Sequence, residues 1–186
     1  MCTFLGIAGK ISEKDIDENA VKNSELIFLE GYLWDEGDPK KAFNKAISIA
    51  KKKAMSLSDQ FCVDRHKKSF FDLVNNKLDI TFANEQEILS LINAKSFDEV
   101  ILFGKQIDKL LVIKRGEKGS VAVQKNKVVE CAGQKNLKIV DLTGAGDLFA
   151  AGFLHGYINN LSPKESLKKG TEMSSKIIQK IGARLN

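Results

Sequence analysis

The sequence of 186 residues contains few cysteines, few prolines and no long apolar run. Its three cysteines, Cys2, Cys62 and Cys131, are odd in number and form no C-x-x-C pair. This pattern argues against a disulfide framework and against a cysteine-based metal site, and it favours a reducing, cytoplasmic location. No segment has the roughly 20 consecutive apolar residues of a transmembrane helix, so we expect no membrane partner.

The sequence also has no strong excess of one charge sign, since it contains 29 Lys and Arg residues and 24 Asp and Glu residues, which gives a formal net charge of +5. The lysine groups at 40–41 and 51–53 lie on or beside a helical pattern, which indicates solvated helix faces. We therefore expect no nucleic-acid partner, although the mild basic balance suits an anionic small molecule. With 43% hydrophobic residues, the chain has enough apolar content for the core of one domain, residues 1–186.

Short apolar runs alternate with helical patterns, which predicts an α/β fold with a mainly parallel sheet and helices on both faces. Predicted strands occupy 3–9, 25–31, 54–58, 78–84, 109–116, 119–126, 127–133 and 138–143, and predicted helices occupy 38–53, 65–76, 85–92, 96–107, 146–159 and 163–181. In parallel sheets of this kind, ligands bind beyond the carboxyl ends of the strands. The ends of the predicted strands at 78–84 and 138–143 therefore indicate where the functional site lies.

The segment DLTGAGD, residues 141–147, combines a glycine turn, the start of a predicted helix and an acid. One interpretation is structural, with Gly144 and Gly146 making a tight turn and Asp147 capping the helix. A dinucleotide-binding turn is disfavoured, because Phe149 stands where G-x-G-x-x-G requires its third glycine. A Walker-type loop is excluded, because G-x-x-x-x-G-K-[ST] does not occur in the chain.

A phosphoryl-transfer site is the remaining interpretation of this segment. The N–H groups of Gly144, Ala145 and Gly146 would point outward at a helix N-terminus, where they can stabilise phosphate oxygens. Asp147 would lie beside them, in a position to orient a substrate hydroxyl or accept its proton. The residues alone leave the structural and the phosphoryl-transfer interpretations open.

The segment DLTGAGDLFAAGFLHG, residues 141–156, resembles the C-terminal signature D-T-x-G-A-G-D of the PfkB-type, ribokinase-like carbohydrate and nucleoside kinases. Three other segments are similar to motifs of that family, in the same order along the chain. They are ANEQE at 83–87 (its N-x-x-E motif), IKRGEKGS at 113–120 (its T-x-G-x-x-G nucleotide segment) and KIIQKIGAR at 176–184 (its closing helix). The resemblance implies a ribokinase-like three-layer αβα sandwich that binds ATP and Mg²⁺.

Two further segments, LEGYLWD at 29–35 and MSLSDQFCVDRH at 55–66, look most like the adenosine-kinase-type branch of this family. The implied reaction is transfer of the γ-phosphate of ATP to a primary hydroxyl of a nucleoside, with adenosine favoured. A ribose- or fructose-type sugar is the alternative acceptor. By this resemblance Asp147 is the catalytic base, and the backbone of residues 144–146 forms the anion hole.

The resemblance assigns Mg²⁺ to Asn84 and Glu87, which would hold it through bound water. By physical chemistry alone, the same two residues are typical of a capping box at a helix start. Asp141 and the carbonyl of Thr143 match family positions that help to bind a monovalent cation, which would be K⁺. Ordinary turn chemistry is the alternative for this second pair.

The nucleotide itself is assigned by resemblance to Lys114, Gly116 and Gly119. Thr171 matches a position that commonly lies against the nucleotide, and its alternative is a helix-surface threonine. Many family members have threonine where this chain has Lys114, so a hydroxyl contact would become a cationic one.

Family members usually carry an N-terminal half with acceptor-binding residues and a lid, and this sequence resembles only the part that follows it. The resemblance therefore implies a chain with the ATP side, the magnesium motif and the base, which by itself phosphorylates weakly or not at all. Exposed strand edges and apolar surface would favour a homodimer or association with the missing half. A non-catalytic nucleotide-binding half-protein is the alternative function.

Overall fold

The computed structural model describes residues 5–34 and 37–185, and the chain divides into two compact units, Met1–Val100 and Ile101–Asn186. Both units combine strands and helices, so the predicted α/β class is confirmed. The expectation of a single domain stays a prediction. Among the described helices, none is both long enough and apolar enough to cross a membrane.

The first unit contains a parallel three-stranded sheet. Its strands are, in spatial order, β1 (Ile27–Glu30), β2 (Lys53–Ser56) and β3 (Ile80–Asn84). Its helices are α1 (Glu18–Asn23), α2 (Asp38–Ile49), α3 (Gln60–Asp72) and α4 (Glu85–Ile92). Phe28 lies opposite Ala54, and Ala54 lies opposite Ile80, so the carboxyl ends of all three strands meet at one edge of the sheet.

Burial of apolar side chains explains why these segments form strands. Strands β2 and β3 have short apolar runs, as expected for strands that are covered on both faces, and Ala54, Met55 and Phe82 are fully buried. Trp34 is 4% exposed and packs edge-on against Phe43, with their ring centroids 4.8 Å apart. The aromatic and aliphatic side chains between the helices and the sheet therefore form the core of this unit.

The second unit contains antiparallel strands and two long helices. Its strands are β4 (Leu110–Lys114), β5 (Ser120–Gln124) and β6 (Lys127–Cys131). Its helices are α6 (Ala145–Ile158) and α7 (Pro163–Ile177), and α5 (Phe97–Gln106) begins in the last residues of the first unit. The strands pair antiparallel because the connections at 115–119 and 125–126 are too short for a parallel crossover. The predicted parallel pairing is therefore found in the first unit.

Glycines allow helices α6 and α7 to pack closely. A Cβ atom on Gly152 would lie 2.6 Å from the carbonyl oxygen of Lys169, and one on Gly170 would lie 2.8 Å from the carbonyl oxygen of Phe149. Phe149 is 4% exposed, and its ring lies against Gly170. The residue that disfavours a dinucleotide-binding turn is therefore part of the packing between these helices.

The structure corrects the prediction for the first part of the chain. The strand predicted at 3–9 is wrong for its described residues, because a 3-10 helix (Gly6–Lys10) begins there. Residues 3–4 of the predicted strand, and Cys2, lie outside the described residues. Helix α1, which is capped by Asp17, was not predicted. Helix α3 begins earlier than predicted because the side chain of Asp59 caps it.

The strand predicted at 138–143 is also wrong, because this segment forms no strand. Ile139 and Leu142 are 63% and 64% exposed. The N–H group of Val140 donates to the carbonyl of Ile178 at 2.8 Å, after the end of α7. An apolar run forms a strand only where another strand pairs with it, and no described strand pairs with this segment.

Candidate active site

The turn before α6 is shaped by Gly144, the residue that precedes the helix. Its φ of +79° is left-handed, which glycine adopts without steric cost, and a Cβ atom there would lie 2.9 Å from the Cβ of Ala183. The N–H group of Ala145 donates to the carbonyl of Leu142 at 3.1 Å. Of the three N–H groups predicted for the anion hole, that of Ala145 is therefore engaged within the turn, and those of Gly144 and Gly146 stay candidates.

The carboxylate of Asp147 lies in the first turn of α6 and is exposed. It makes no hydrogen bond or ion pair with any residue that the structure describes. The first-turn N–H groups of a helix lack intrahelical partners and carry a partial positive charge, which favours an anionic side chain there. An accessible, unpaired carboxylate at this position is suited to orienting a hydroxyl group and receiving its proton.

The side chain of Lys114, the last residue of β4, reaches the same turn. A Cβ atom on Gly146 would lie 3.0 Å from the Nζ atom of Lys114. The ammonium group therefore lies next to the second residue of α6, with no side chain between it and the helix backbone. The fold brings together two segments that the sequence analysis assigned to the nucleotide and to the phosphoryl group.

The connection between β4 and β5 depends on two glycines with left-handed backbone conformations. Gly116 has φ +59° and Gly119 has φ +89°. A Cβ atom on Gly119 would lie 2.0 Å from the carbonyl oxygen of Cys131, whereas one on Gly116 would have no atom within 4 Å. Gly119 is thus required both by its φ angle and by the close approach of the end of β6.

Thr171 of α7 lies against the sheet of the second unit. Its Oγ1 atom is 3.4 Å from the Oγ of Ser120 and 3.9 Å from the Sγ of Cys131. Ser120 is 1% exposed and is paired with Cys131 in the register of β5 and β6. Ser120 and Cys131 were not predicted as site residues, because only the strand register brings them to Thr171.

Asp141 ties the turn before α6 to the segment that follows α7. Its Oδ1 accepts hydrogen bonds from the N–H and the hydroxyl of Thr143 at 2.9 and 2.7 Å, and its Oδ2 accepts the N–H of Gly182 at 2.9 Å. These bonds, that from Gly182 first and those from Thr143 next, hold the pKa of Asp141 below its usual value. This is the turn chemistry that the sequence left open, and the monovalent-cation role stays a prediction.

In the first unit, Asn84 and Glu87 form a reciprocal capping box at the start of α4. The Oδ1 of Asn84 accepts the N–H of Glu87 at 2.8 Å, and the Glu87 carboxylate accepts the N–H and Nδ2 of Asn84 at 2.8 and 2.6 Å. Glu87 is 1% exposed. Carboxylate and amide oxygens are ligands that suit Mg²⁺, which keeps much of its water shell. The donor set therefore fits a magnesium ion that is held through water.

Polar residues beyond β1 and β2 also lie at the carboxyl edge of the first unit's sheet, and they were not predicted as site residues. Ser58 has a left-handed φ of +72°, and its Oγ accepts the N–H of Tyr32 at 3.2 Å. Burial, together with the negative charge of Asp59 and a hydrogen bond to it, raises the pKa of the Tyr32 phenol. Their position just after apolar strands was the only signal in the sequence.

The α/β architecture, with a GAGD turn at a helix N-terminus, is the architecture of the ribokinase-like class. The chain belongs to the pfkB family of carbohydrate kinases, and the match to that family covers residues 1–186. The family resemblance inferred from the motifs is therefore confirmed.

Solved structures and curated relatives support this assignment. Adenosine kinase from Sinorhizobium meliloti is 37% identical, with a TM-score of 0.90 over 95% of this chain and 56% of that chain. A putative ribokinase II from E. coli, in complex with ATP and Mg²⁺, is 21% identical, with a TM-score of 0.84 over 94% of this chain and 59% of that chain. The 5-dehydro-2-deoxygluconokinase of Bacillus subtilis (strain 168) is 26% identical over an alignment that covers 91% of this chain and 55% of that protein.

These similarities confirm the ribokinase-like fold that the motifs implied. The chain spans slightly more than half the length of the relatives that it matches, namely 55% of the Bacillus protein and 56% of the Sinorhizobium chain.

Proposed function

We propose that the protein is an ATP-dependent kinase that transfers the γ-phosphate to a primary hydroxyl of a nucleoside or sugar. The observation that carries this proposal is the Asp147 carboxylate in the first turn of α6, which has no partner among the described residues, with the Lys114 ammonium beside Gly146. Phosphoryl transfer requires positioning, charge stabilisation and a group that receives the hydroxyl proton. The residues at the start of α6 have the chemistry for the last two tasks.

In the proposed reaction, the acceptor oxygen forms a bond to the γ-phosphorus while the bond from this phosphorus to the β–γ bridging oxygen breaks. Asp147 receives the proton of the acceptor hydroxyl, and ADP leaves with the bridging oxygen. The N–H groups of Gly144 and Gly146 donate to the oxygens of the transferring phosphoryl group, where charge develops. A positioned base of this kind contributes about 10²–10⁴-fold to the rate.

The nucleotide is proposed to lie along Lys114, Gly116, Gly119 and Thr171. Asn84 and Glu87 would hold Mg²⁺ through bound water, and Mg²⁺ supplies charge neutralisation on the phosphate oxygens when it is bound. The oxygen donors of this pair support the assignment, and ATP with Mg²⁺ is what the pfkB family leads us to expect. A K⁺ ion at Asp141 and Thr143 is a further prediction.

Adenosine is the proposed acceptor, because the similar Sinorhizobium protein is an adenosine kinase. A sugar is the alternative, which the Bacillus sugar-acid kinase supports. Release of ADP is to be measured with adenosine, cytidine, ribose, fructose and 5-dehydro-2-deoxygluconate. The highest kcat/KM with adenosine would support the first proposal, and the highest value with a sugar would replace it.

The role of Asp147 is tested by Asp147→Asn in the purified chain, assayed at high protein concentration so that slow turnover is measurable. We expect acceptor-dependent ADP release to fall by about 10²–10⁴-fold, because the proton acceptor is lost, while ATP affinity stays within about twofold. Asp98→Asn is the matched control, since Asp98 is an exposed acid in the first turn of α5. Near-normal ADP release by Asp147→Asn would refute the assigned base.

A non-catalytic nucleotide-binding protein is the second candidate function, because the chain spans only 55% of the Bacillus kinase to which it is similar. The same assay separates the two candidates. ATP binding without any acceptor-dependent ADP release from the unaltered chain would support the second candidate. Absence of ATP binding would refute both.

A further inference from the structure

The ammonium group of Lys114 lies beside the first turn of α6. Its Nζ atom is next to Gly146, the second residue of α6. A helix N-terminus carries the equivalent of roughly +0.5 elementary charge, and a cation there is destabilising. Within the described ranges, Lys114 has no hydrogen bond or ion pair that would offset this repulsion.

The strand register places Lys114 on the same sheet face as the cluster that contacts α7. Lys114 lies directly opposite Ser120 in the antiparallel pairing of β4 and β5, and directly opposite residues share a face. Ser120 in turn contacts Thr171. On that face, α7 therefore lies over Ser120, and the start of α6 lies next to Lys114. The residues proposed for the nucleotide and the turn proposed for the phosphoryl group thus meet at Lys114.

An anion between the ammonium group and the helix N-terminus would relieve the repulsion on both sides. Hydrogen bonds between an ionised donor and an ionised acceptor are roughly twice as strong as those between neutral groups. The threonine that many family members carry at this position has no charge, so it cannot supply such a bond. A lysine at this position can therefore supply a charge-assisted hydrogen bond that a threonine cannot supply.

We propose that Lys114 contacts the terminal phosphate of ATP at the start of α6, and that it makes this chain prefer ATP over ADP. This inference rests on the proposed phosphoryl-transfer site. The terminal phosphate is selected because Nζ lies beside Gly146, whose N–H group is a candidate for the anion hole that receives the transferring group. ADP lacks this phosphate, so its affinity does not depend on the ammonium group.

The test is to measure the affinities of MgATP and MgADP for the purified chain, for Lys114→Met, for Lys114→Arg and for Lys127→Met. We expect Lys114→Met to weaken ATP about tenfold, since it removes one charge-assisted contact, and to change ADP by less than about twofold. Lys114→Arg should keep most of the preference for ATP. Lys127→Met is the matched control, because Lys127 is an exposed lysine paired with Gln124 at the opposite end of β5.

Thermal unfolding gives a second readout that does not depend on affinity measurements. We expect the nucleotide-free Lys114→Met variant to have a Tm equal to or above that of the unaltered chain, because an unpaired cation is removed from a helix N-terminus. ATP should then raise the Tm of the unaltered chain more than that of the variant.

Equal weakening of ATP and ADP by Lys114→Met, or no weakening of either, would overturn the proposal and leave the kinase proposal intact. Failure of the unaltered chain to bind either nucleotide would instead refute the proposed function itself.

Discussion

At the scale of single residues, two glycines of the β4–β5 connection are needed for different reasons, namely a positive φ angle and the lack of space for a Cβ atom. Gly116 and Gly119 both have a positive φ, of +59° and +89°. Only Gly119 also lies against backbone, since a Cβ atom there would be 2.0 Å from the carbonyl oxygen of Cys131. The first glycine is needed for its backbone conformation, and the second is needed for conformation and space.

This difference predicts unequal costs of two alanine substitutions. Gly116→Ala should lower the free energy of unfolding by about 1–2 kcal/mol, the cost of a left-handed backbone for a residue with a Cβ atom. Gly119→Ala should cost more, because the Cys131 carbonyl must also move. Urea denaturation of both variants measures the loss in the free energy of unfolding. Equal losses would show that the close approach of Gly119 to Cys131 does not contribute to the cost of the Gly119→Ala substitution.

In the candidate site of the second unit, the residues that lie within a sequence motif could be predicted. Gly144, Gly146 and Asp147 follow from the pattern at residues 141–147. The hydrogen bond from Ala145 to Leu142 was not predictable, because it depends on the conformation of the turn. Contacts such as that between Ser120 and Thr171 join residues far apart in the chain, and local patterns contain no information about them.

At the scale of elements, the chain offers two capping boxes with the same geometry and different proposed roles. Asn84 with Glu87 caps α4, and Ser162 with Glu165 caps α7. Only the first pair matches the magnesium motif. Comparing the two therefore separates helix capping from metal binding.

We predict that Asn84→Ala and Ser162→Ala each lower the free energy of unfolding by about 0.5–2 kcal/mol, through loss of an N-cap. Only Asn84→Ala should also raise the Mg²⁺ concentration that half-maximal ATP binding requires. Urea denaturation and Mg²⁺ titrations of ATP binding measure these effects. An unchanged Mg²⁺ requirement in Asn84→Ala would leave Asn84 with a capping role alone.

Asp141 connects two elements in a pH-dependent way. Because its folded-state pKa is lowered below the usual value of 3.8, its contribution to stability is present above that value and is lost as the pH falls through the lowered folded-state pKa. We predict that Asp141→Asn lowers the Tm at pH 7 and that its difference from the unaltered chain shrinks below pH 3.8. A difference in Tm that does not depend on pH would contradict this role.

Elements with their own start signals were predictable from sequence, whereas those that depend on distant partners were not. Helix α4 was predicted at its observed bounds, since Asn84 and Glu87 mark its start. The apolar segment at 138–143 was wrongly predicted to be a strand, because its pattern does not reveal whether another strand lies beside it. The direction of strand pairing depends on the length of the connections, because the short connections of the second unit allow only antiparallel pairs.

At the scale of the whole molecule, the chain spans just over half the length of the relatives described above, and it contains the four segments that resemble family motifs. Exposed apolar side chains include Ile139, Leu142 and Ile181, which are 63%, 64% and 85% exposed. Apolar surface of this kind favours association with another protein surface.

We therefore predict that purified residues 1–186 bind MgATP but release ADP only slowly with adenosine, because they correspond to only 55% of the Bacillus protein and 56% of the Sinorhizobium chain. ADP release is measured with and without adenosine, and light scattering reports the oligomeric state. Rapid adenosine-dependent ADP release by a monomer would contradict this prediction.

The register of β4 and β5 has a consequence for how the protein can be labelled. Lys114 and Ser120 are paired across the 115–119 connection, and an insertion there that shifts this pairing by one residue would place their side chains on opposite faces of the sheet. The β5–β6 turn at residues 125–126 lies at the far end of the hairpin and is exposed. A fluorophore or affinity peptide inserted at this second turn should leave nucleotide binding unchanged, whereas the same insertion in the first connection should abolish it.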